Sequence, residues 1–146
     1  MAKAGILTIG DELLIGQTIN TNAAWIGREL SLVNIHVTKS LTISDSVNEI
    51  IEGLDLLQKN CDIIIITGGL GPTKDDITKQ TLADYFSMQL LRNNNVLQKI
   101  ESFFVSRGRE MLEVNRQQAD LPNGCTIIEN KIGTASGMWF DKNEKV

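Results

Sequence analysis

Residues 61–76 join a run of four isoleucines, Ile63 to Ile66, to the stretch Thr67-Gly68-Gly69-Leu70-Gly71-Pro72-Thr73-Lys74-Asp75-Asp76. A β-branched run of that length fits a strand buried on both faces, and the glycines after it let the backbone turn sharply and come close to a ligand. A helix is expected to start at the paired aspartates. Its unpaired N–H groups and its dipole favour a phosphate in the bend without help from any particular side chain. A second chemical cluster, Gly10-Asp11-Glu12, follows an earlier apolar run, Ala4 to Ile9. If both runs are parallel strands, both clusters emerge at the C-terminal edge of the sheet, where open α/β sheets bind ligands.

Asp11, Glu12, Asp75 and Asp76 would then converge near one phosphate, and carboxylates repel phosphate unless a cation stands between them. A hard-oxygen cluster with neither His nor Cys suits Mg²⁺ or a similar ion that keeps several waters. The chemistry suggested is metal-assisted phosphoryl or pyrophosphate transfer, with Lys74 adding a point charge on the phosphate side. Each piece also has an ordinary structural explanation. Acidic residues commonly open helices, and glycines make plain turns. The Gly68-Gly69-x-Gly71 spacing matches neither the nucleoside-triphosphate phosphate loop nor the dinucleotide fingerprint. Gly133-Thr134-Ala135-Ser136-Gly137 reads equally as a third ligand-approaching loop or as a simple turn.

The elements that must carry these loops alternate. After the Ala4 to Ile9 strand and a loop rich in Gly, Asp and Asn, Thr21 to Leu32 has helical spacing, with Trp25, Ile26, Leu30 and Ala23 assigned inward. Ile35 to Thr42 alternates as a strand does, and His36 falls on its solvated face. Ser46-x-x-Glu49 is a capping-box spacing ahead of Val47, Ile50, Ile51, Leu54 and Leu57 at helical intervals. Cys61 to Thr67 is the next strand. Helices are expected from Asp76 to Phe86, from Val96 to Val105 and over Met111 to Ala119. A turn is expected at Leu121-Pro122-Asn123-Gly124, and short strands at Thr126 to Ile128 and Met138 to Phe140. Asp141 to Glu144 reads as a polar hairpin turn, and the sequence reaches Val146 at what looks like the start of another strand, so the chain is expected to end inside a longer domain. Repeated exchange of strand and helix is the pattern of an α/β domain with a mainly parallel sheet.

With 146 residues and a formal net charge of −4, the chain has one domain's worth of residues and length enough for a core. No Lys/Arg-rich run supports a nucleic-acid footprint, and no apolar stretch is long enough for a membrane span. The expected setting is the cytoplasm, with no nucleic-acid or membrane partner. Cys61 and Cys125 are the two cysteines and His36 the single histidine, which supports neither a thiolate zinc site nor a His-centred triad.

Several motifs together carry a family resemblance. Gly10-Asp11-Glu12-Leu13-Leu14-x-Gly16-Gln17, Asn20-Thr21-Asn22-Ala23-Ala24-Trp25, the Thr67 to Thr78 stretch, Asn115-Arg116-Gln117-Gln118-Ala119 and Gly133-Thr134-Ala135-x-Gly137 closely resemble the competence/damage-inducible protein CinA family. The matching region is the family's N-terminal domain, which is itself similar to the molybdopterin-binding domain of molybdenum-cofactor biosynthesis proteins such as MogA, MoaB and MoeA. The resemblance implies a three-layer α/β/α sandwich over residues 1–146, a nucleotide substrate and a homo-oligomer. It also implies divalent-metal-dependent hydrolysis of ADP-ribose to AMP and ribose 5-phosphate, with nicotinamide-mononucleotide deamidation assigned to a separate C-terminal domain. Asp11, Glu12 and Asp76 take the catalytic and metal-binding positions. Gly68, Gly69, Gly71 and Thr73 cradle phosphate, and Asn22, Lys74, Asn115, Arg116, Gly133 and Thr134 are further binding candidates. The alternatives are a molybdopterin-binding or adenylyl-transfer domain and a non-catalytic nucleotide-binding module. Two departures stand out: Ser136 replaces a proline common in the family, and the family's Pro-Gly-Val-Pro segment is not reached before Val146, which bears on catalytic competence.

Overall fold

The computed structural model describes residues 1–70 and 77–141, and its contacts divide the chain into two compact units, residues 1–69 and 70–141. In the first unit the elements are β1 (Lys3–Ile9), a one-turn helix α1 (Asp11–Leu14), α2 (Thr21–Leu32), β2 (His36–Ile43), α3 (Val47–Gln58) and β3 (Ile63–Thr67). The three strands form one parallel sheet in the order β2-β1-β3.

The central place belongs to β1. Ala4, Ile6, Leu7 and Ile9 are all buried there, so the isoleucine run of β3 is not the doubly covered strand expected from sequence. Within this unit β3 is an outer strand, and each of its residues is half-buried. Burying a leucine or isoleucine side chain stabilises by about 1.5–3 kcal/mol, so β1 and the helix upon it dominate this core. That helix is α3, where Ile50, Leu54 and Leu57 are buried. Two glycines permit the close approach. A Cβ on Gly53 would lie 2.9 Å from Leu7 Cδ1, and one on Gly5 would lie 2.8 Å from Leu57 Cδ2. The start of α3 keeps the predicted Ser46 cap without the reciprocal bond of a full capping box: Ser46 Oγ accepts from the Glu49 N–H at 3.4 Å, while Glu49 Oε2 accepts from the Ser44 N–H, two residues before the cap, at 2.8 Å.

Helix α2 has the predicted limits and, except for Trp25, the predicted inner face. Ala23, Ile26, Gly27 and Leu30 make the half-buried stripe, at the i, i+3, i+4, i+7 spacing, whereas Trp25 is 58% exposed. Two residues beyond Ala23 is about 200° around a helix, which turns Trp25 away from the sheet. His36 is exposed on β2, as expected.

The second unit holds α4 (Ile77–Tyr85), β4 (Leu90–Arg92), α5 (Asn94–Ser106), α6 (Glu113–Arg116), a 3₁₀ turn at Gln117–Ala119, β5 (Asp120–Pro122), β6 (Thr126–Ile128) and β7 (Gly137–Trp139). Its core gathers Val96, Ile100, Ala119 and Leu121, with Phe104, Ile127 and Met138 against them. Strands β4 and β5 pair antiparallel, as do β6 and β7. Two expectations are corrected here and one strand is added. The helix expected over Met111 to Ala119 is broken into α6 and the 3₁₀ turn, Leu121 and Pro122 pair with Leu91 and Leu90 instead of opening a turn, and β4 was not foreseen. Residues 71–76, which carry the expected start of the aspartate-led helix, and residues 142–146, which carry most of the expected hairpin turn, lie outside the described residues. Among the described residues no helix is long and apolar enough to cross a membrane.

Candidate functional site

The C-terminal edge of the three-stranded sheet brings the two loops together. Thr8 of β1 and Thr67 of β3 are partners in register, so Gly10-Asp11-Glu12 and Gly68-Gly69 leave the sheet side by side. Both glycines after β3 have positive φ, 91° at Gly68 and 67° at Gly69, a region that side chains other than glycine's rarely tolerate. At Gly68 the approach is closer still: a Cβ there would stand 2.0 Å from the Ile9 carbonyl oxygen. The backbone of the second loop therefore lies against the residue that leads into Gly10.

On the first loop, the Gly10 N–H donates to the Ile43 carbonyl at 3.0 Å, tying the end of β1 to the end of β2, and α1 starts at once with Asp11 and Glu12. Both carboxylates are exposed. Glu12 folds back over Gly10, where an added Cβ would meet its Oε1 at 2.6 Å. Asn22, in the first turn of α2, directs its Nδ2 to Thr67 Oγ1 at 3.4 Å. Asp11, Glu12, Asn22, Gly68 and Gly69 thus share one edge, as the sequence suggested. Gly71, Thr73, Lys74, Asp75 and Asp76 lie outside the described residues.

Among the described residues no three His, Cys, Asp or Glu side chains cluster as a metal site. The edge offers the exposed Asp11 and Glu12 carboxylates, while the Thr8 and Thr67 hydroxyls accept from Asn20 and Asn22. An all-oxygen donor set of that size fits a hard cation that retains most of its water, and it does not fit zinc in a structural site.

The remaining candidates belong to the second unit. Asn115 Oδ1 accepts from the Leu112 N–H at 3.0 Å, closing the first turn of α6, and Arg116 Nη1 donates to Glu101 Oε1 at 2.9 Å. Both side chains are engaged inside their own unit. Gly133 and Thr134 sit in the loop between β6 and β7, beside an open groove of about 1190 Å³ whose other wall is the Lys99 and Phe103 side of α5. Asn130 shapes that loop. Its Oδ1 accepts from the N–H groups of Ile132 and Gly133, both at 2.9 Å, and its Nδ2 donates to the Ala135 carbonyl at 2.9 Å. Neither Asn130 nor Asn20 was singled out from sequence. An asparagine two or three residues before a glycine turn, and one immediately before a helical run, are the local signals that would have found them.

A family described as "Probable molybdopterin binding domain" matches residues 5–145. A CinA-like protein of Flavobacterium psychrophilum is 47% identical over 148 residues, covering 99% of this chain and 35% of that protein. The chain thus spans about a third of the length of the curated relatives it matches. Among solved structures, the protein CinA from Thermoplasma acidophilum superposes with a TM-score of 0.86 at 32% identity, covering 99% of this chain and 84% of that one. The tungsten cofactor synthesizing protein MoaB from Pyrococcus furiosus superposes at 0.59 with 20% identity, covering 95% and 79%. That likeness shows the fold, an α/β sandwich of the MoaB type with helices flanking a parallel sheet, in agreement with the class read from sequence.

Proposed function

The chain belongs to the CinA family, of which it carries the domain of molybdopterin-binding type, and from that premise we propose that it hydrolyses a nucleotide pyrophosphate, ADP-ribose, to AMP and ribose 5-phosphate. The observation that carries the reading is the Gly68 backbone lying against Ile9 beside the Asp11-Glu12 pair. A glycine loop free of side chains can follow a pyrophosphate closely, and backbone N–H groups donate to its oxygens. In the reaction an oxygen–phosphorus bond to water forms, the bond from phosphorus to the bridging oxygen breaks, and the water gives up its proton.

Asp11 and Glu12 would hold a divalent cation, with Asp76 as the third carboxylate. That cation, when bound, neutralises charge on the transferring phosphoryl group. Gly68 and Gly69 would position the phosphates, with Gly71, Thr73 and Lys74 as the further binding residues that the resemblance implies. The proposed setting is the cytoplasm, where nucleotides are metabolised, and the proposed form is a homo-oligomer.

The test is direct. The 146-residue chain is incubated with ADP-ribose and Mg²⁺, Mn²⁺ or Co²⁺, and AMP is measured by chromatography. AMP that disappears in Asp11→Asn and Asp76→Asn, with the thermal midpoint retained, supports the reading. No AMP with any of the three metals would overturn it. Molybdopterin copurifying with an inactive protein would instead assign the same edge to a pterin phosphate.

A further inference from the structure

Asn20 does two jobs with one amide. Its Oδ1 accepts from the Ala23 N–H at 3.0 Å, capping α2, and its Nδ2 donates to Thr8 Oγ1 at 3.0 Å. The Thr8 hydroxyl is on a side chain only 2% exposed, one residue before Ile9 and in register with Thr67. Asn22, two residues further on, reaches Thr67 Oγ1. The start of α2 is therefore fastened across the ends of both strands whose loops form the candidate site.

What lies between is a short excursion whose backbone bonds, among the described residues, run mostly within itself. The N–H groups of Gln17 and Thr18 both donate to the Glu12 carbonyl, at 2.9 and 3.1 Å, folding the 12–18 segment onto Glu12 itself. Of its apolar side chains Leu13 is half-buried and α1 touches β2, but toward the far end Ile15 is 75% and Ile19 83% exposed. One end of the excursion is held by the Gly10 bond to Ile43. Among the described residues, the side-chain bond that returns its far end to β1 is Asn20 to Thr8.

We infer that Asn20, acting through Thr8, is the positioning residue of this site: it holds the Asp11 to Ile19 excursion, and with it the two carboxylates, at the sheet edge. The placement follows from the hydrogen bonds alone; its effect on turnover rests on the pyrophosphatase reading. Groups that must meet a substrate within a few tenths of an ångström lose much of their effect when their support loosens.

Asn20→Ser keeps a capping oxygen but is too short to reach Thr8, and Thr8→Val removes the acceptor at nearly constant volume. Amide hydrogen exchange on the intact chain is the first readout, because it needs no activity. Exchange at Gln17 and Thr18 is expected to rise about tenfold in each variant and no further in the double variant, while the Ile64 to Ile66 amides of β3 keep their protection and Thr8→Ser behaves as the parent. Unchanged protection at Gln17 and Thr18, or an equal rise through β3, would overturn the inference. The second readout is ADP-ribose turnover, where kcat is expected to fall about tenfold in each single variant with KM unchanged, and again no further in the double variant. An unchanged kcat in an active protein overturns the positioning role. A parent protein that makes no AMP sinks the pyrophosphatase reading and leaves the exchange result to decide this one.

Discussion

Replacing Gly68 by alanine is the sharpest perturbation of the candidate site, and two other glycines calibrate it. Gly27 is inside α2 with open space where a Cβ would go, so Gly27→Ala is expected to stabilise the chain by about 0.5–1 kcal/mol through helix propensity. Gly16 has φ 74° and also open space, so Gly16→Ala isolates the backbone strain, about 1–2 kcal/mol for a side chain in the left-handed region. Gly68 adds a collision to similar strain. Its Cβ would stand 2.0 Å from the Ile9 oxygen, a backbone atom that cannot rotate away, and one strand end must shift by about 1 Å to reach even the 3.0 Å that real Cβ contacts observe. Overpacking of that kind costs about 1–3 kcal/mol more, so Gly68→Ala should destabilise by about 2–5 kcal/mol in total. Thermal unfolding of the three variants should rank them Gly27→Ala above parent above Gly16→Ala above Gly68→Ala, with about 2–4 °C for each kcal/mol in a chain approaching 150 residues. A Gly68→Ala midpoint equal to that of Gly16→Ala would refute the argument that this glycine exists for backbone approach.

Ser46→Ala removes the oxygen that caps α3 and should cost about 1 kcal/mol in urea unfolding, with the denaturant slope unchanged. Glu129 accepts a hydrogen bond from Lys99 at 2.8 Å, and that bond with the lysine's charge holds its carboxyl below the ordinary glutamate range. A depressed folded value means that the pair's stabilisation is present above the unfolded pKa and is lost as pH falls through the folded one; Lys99→Gln should move the NMR-titrated Glu129 carboxyl upward, and added salt should weaken the effect. Burial pushes the Cys125 thiol up, so stability linked to it is present below the unfolded pKa and is lost as pH rises through the folded one. Alkylation of native Cys125 should accordingly stay slow until above the usual thiol range, while fully buried Cys61 should wait for unfolding; mass spectrometry of pulse-alkylated protein separates the two.

Where the sequence was legible, a local rule decided the structure. Helix α2 begins and ends where its spacing said, and the Ser46 and Glu49 pair caps α3 because capping needs only residues three apart. Where it misled, a choice made elsewhere in the chain decided. Four consecutive isoleucines announce a buried strand, but which strand occupies the middle of the sheet depends on all three, and the less conspicuous Lys3–Ile9 segment took it. Pro122 looked like a turn residue, yet a proline at the end of a short outer strand loses no essential ladder bond, and it pairs with Leu90. The 3₁₀ turn that follows α6 likewise stops at Ala119, because Asp120 begins the pairing of β5 with β4.

For the site itself, the legible part was residue type and the illegible part was mutual placement. Asp11 and Glu12 gain meaning only because β1 is next to β3 in the sheet and parallel to it, and an antiparallel pair would have sent the two loops to opposite edges. Parallel pairing requires a long crossover between the strands, and in this chain the crossover includes α2, β2 and α3. The start of that crossover does more than connect. Its first capping residue, Asn20, reaches back to Thr8, and its first turn reaches Thr67 through Asn22, so the same segment that makes parallel neighbours possible also holds their ends together. A substitution that spared both loops and all their glycines but shortened these two amides would be expected to leave the sheet intact and still separate the carboxylates from the Gly68 loop, which is why the decisive comparison is between local exchange at Gln17 and Thr18 and the protection of β3.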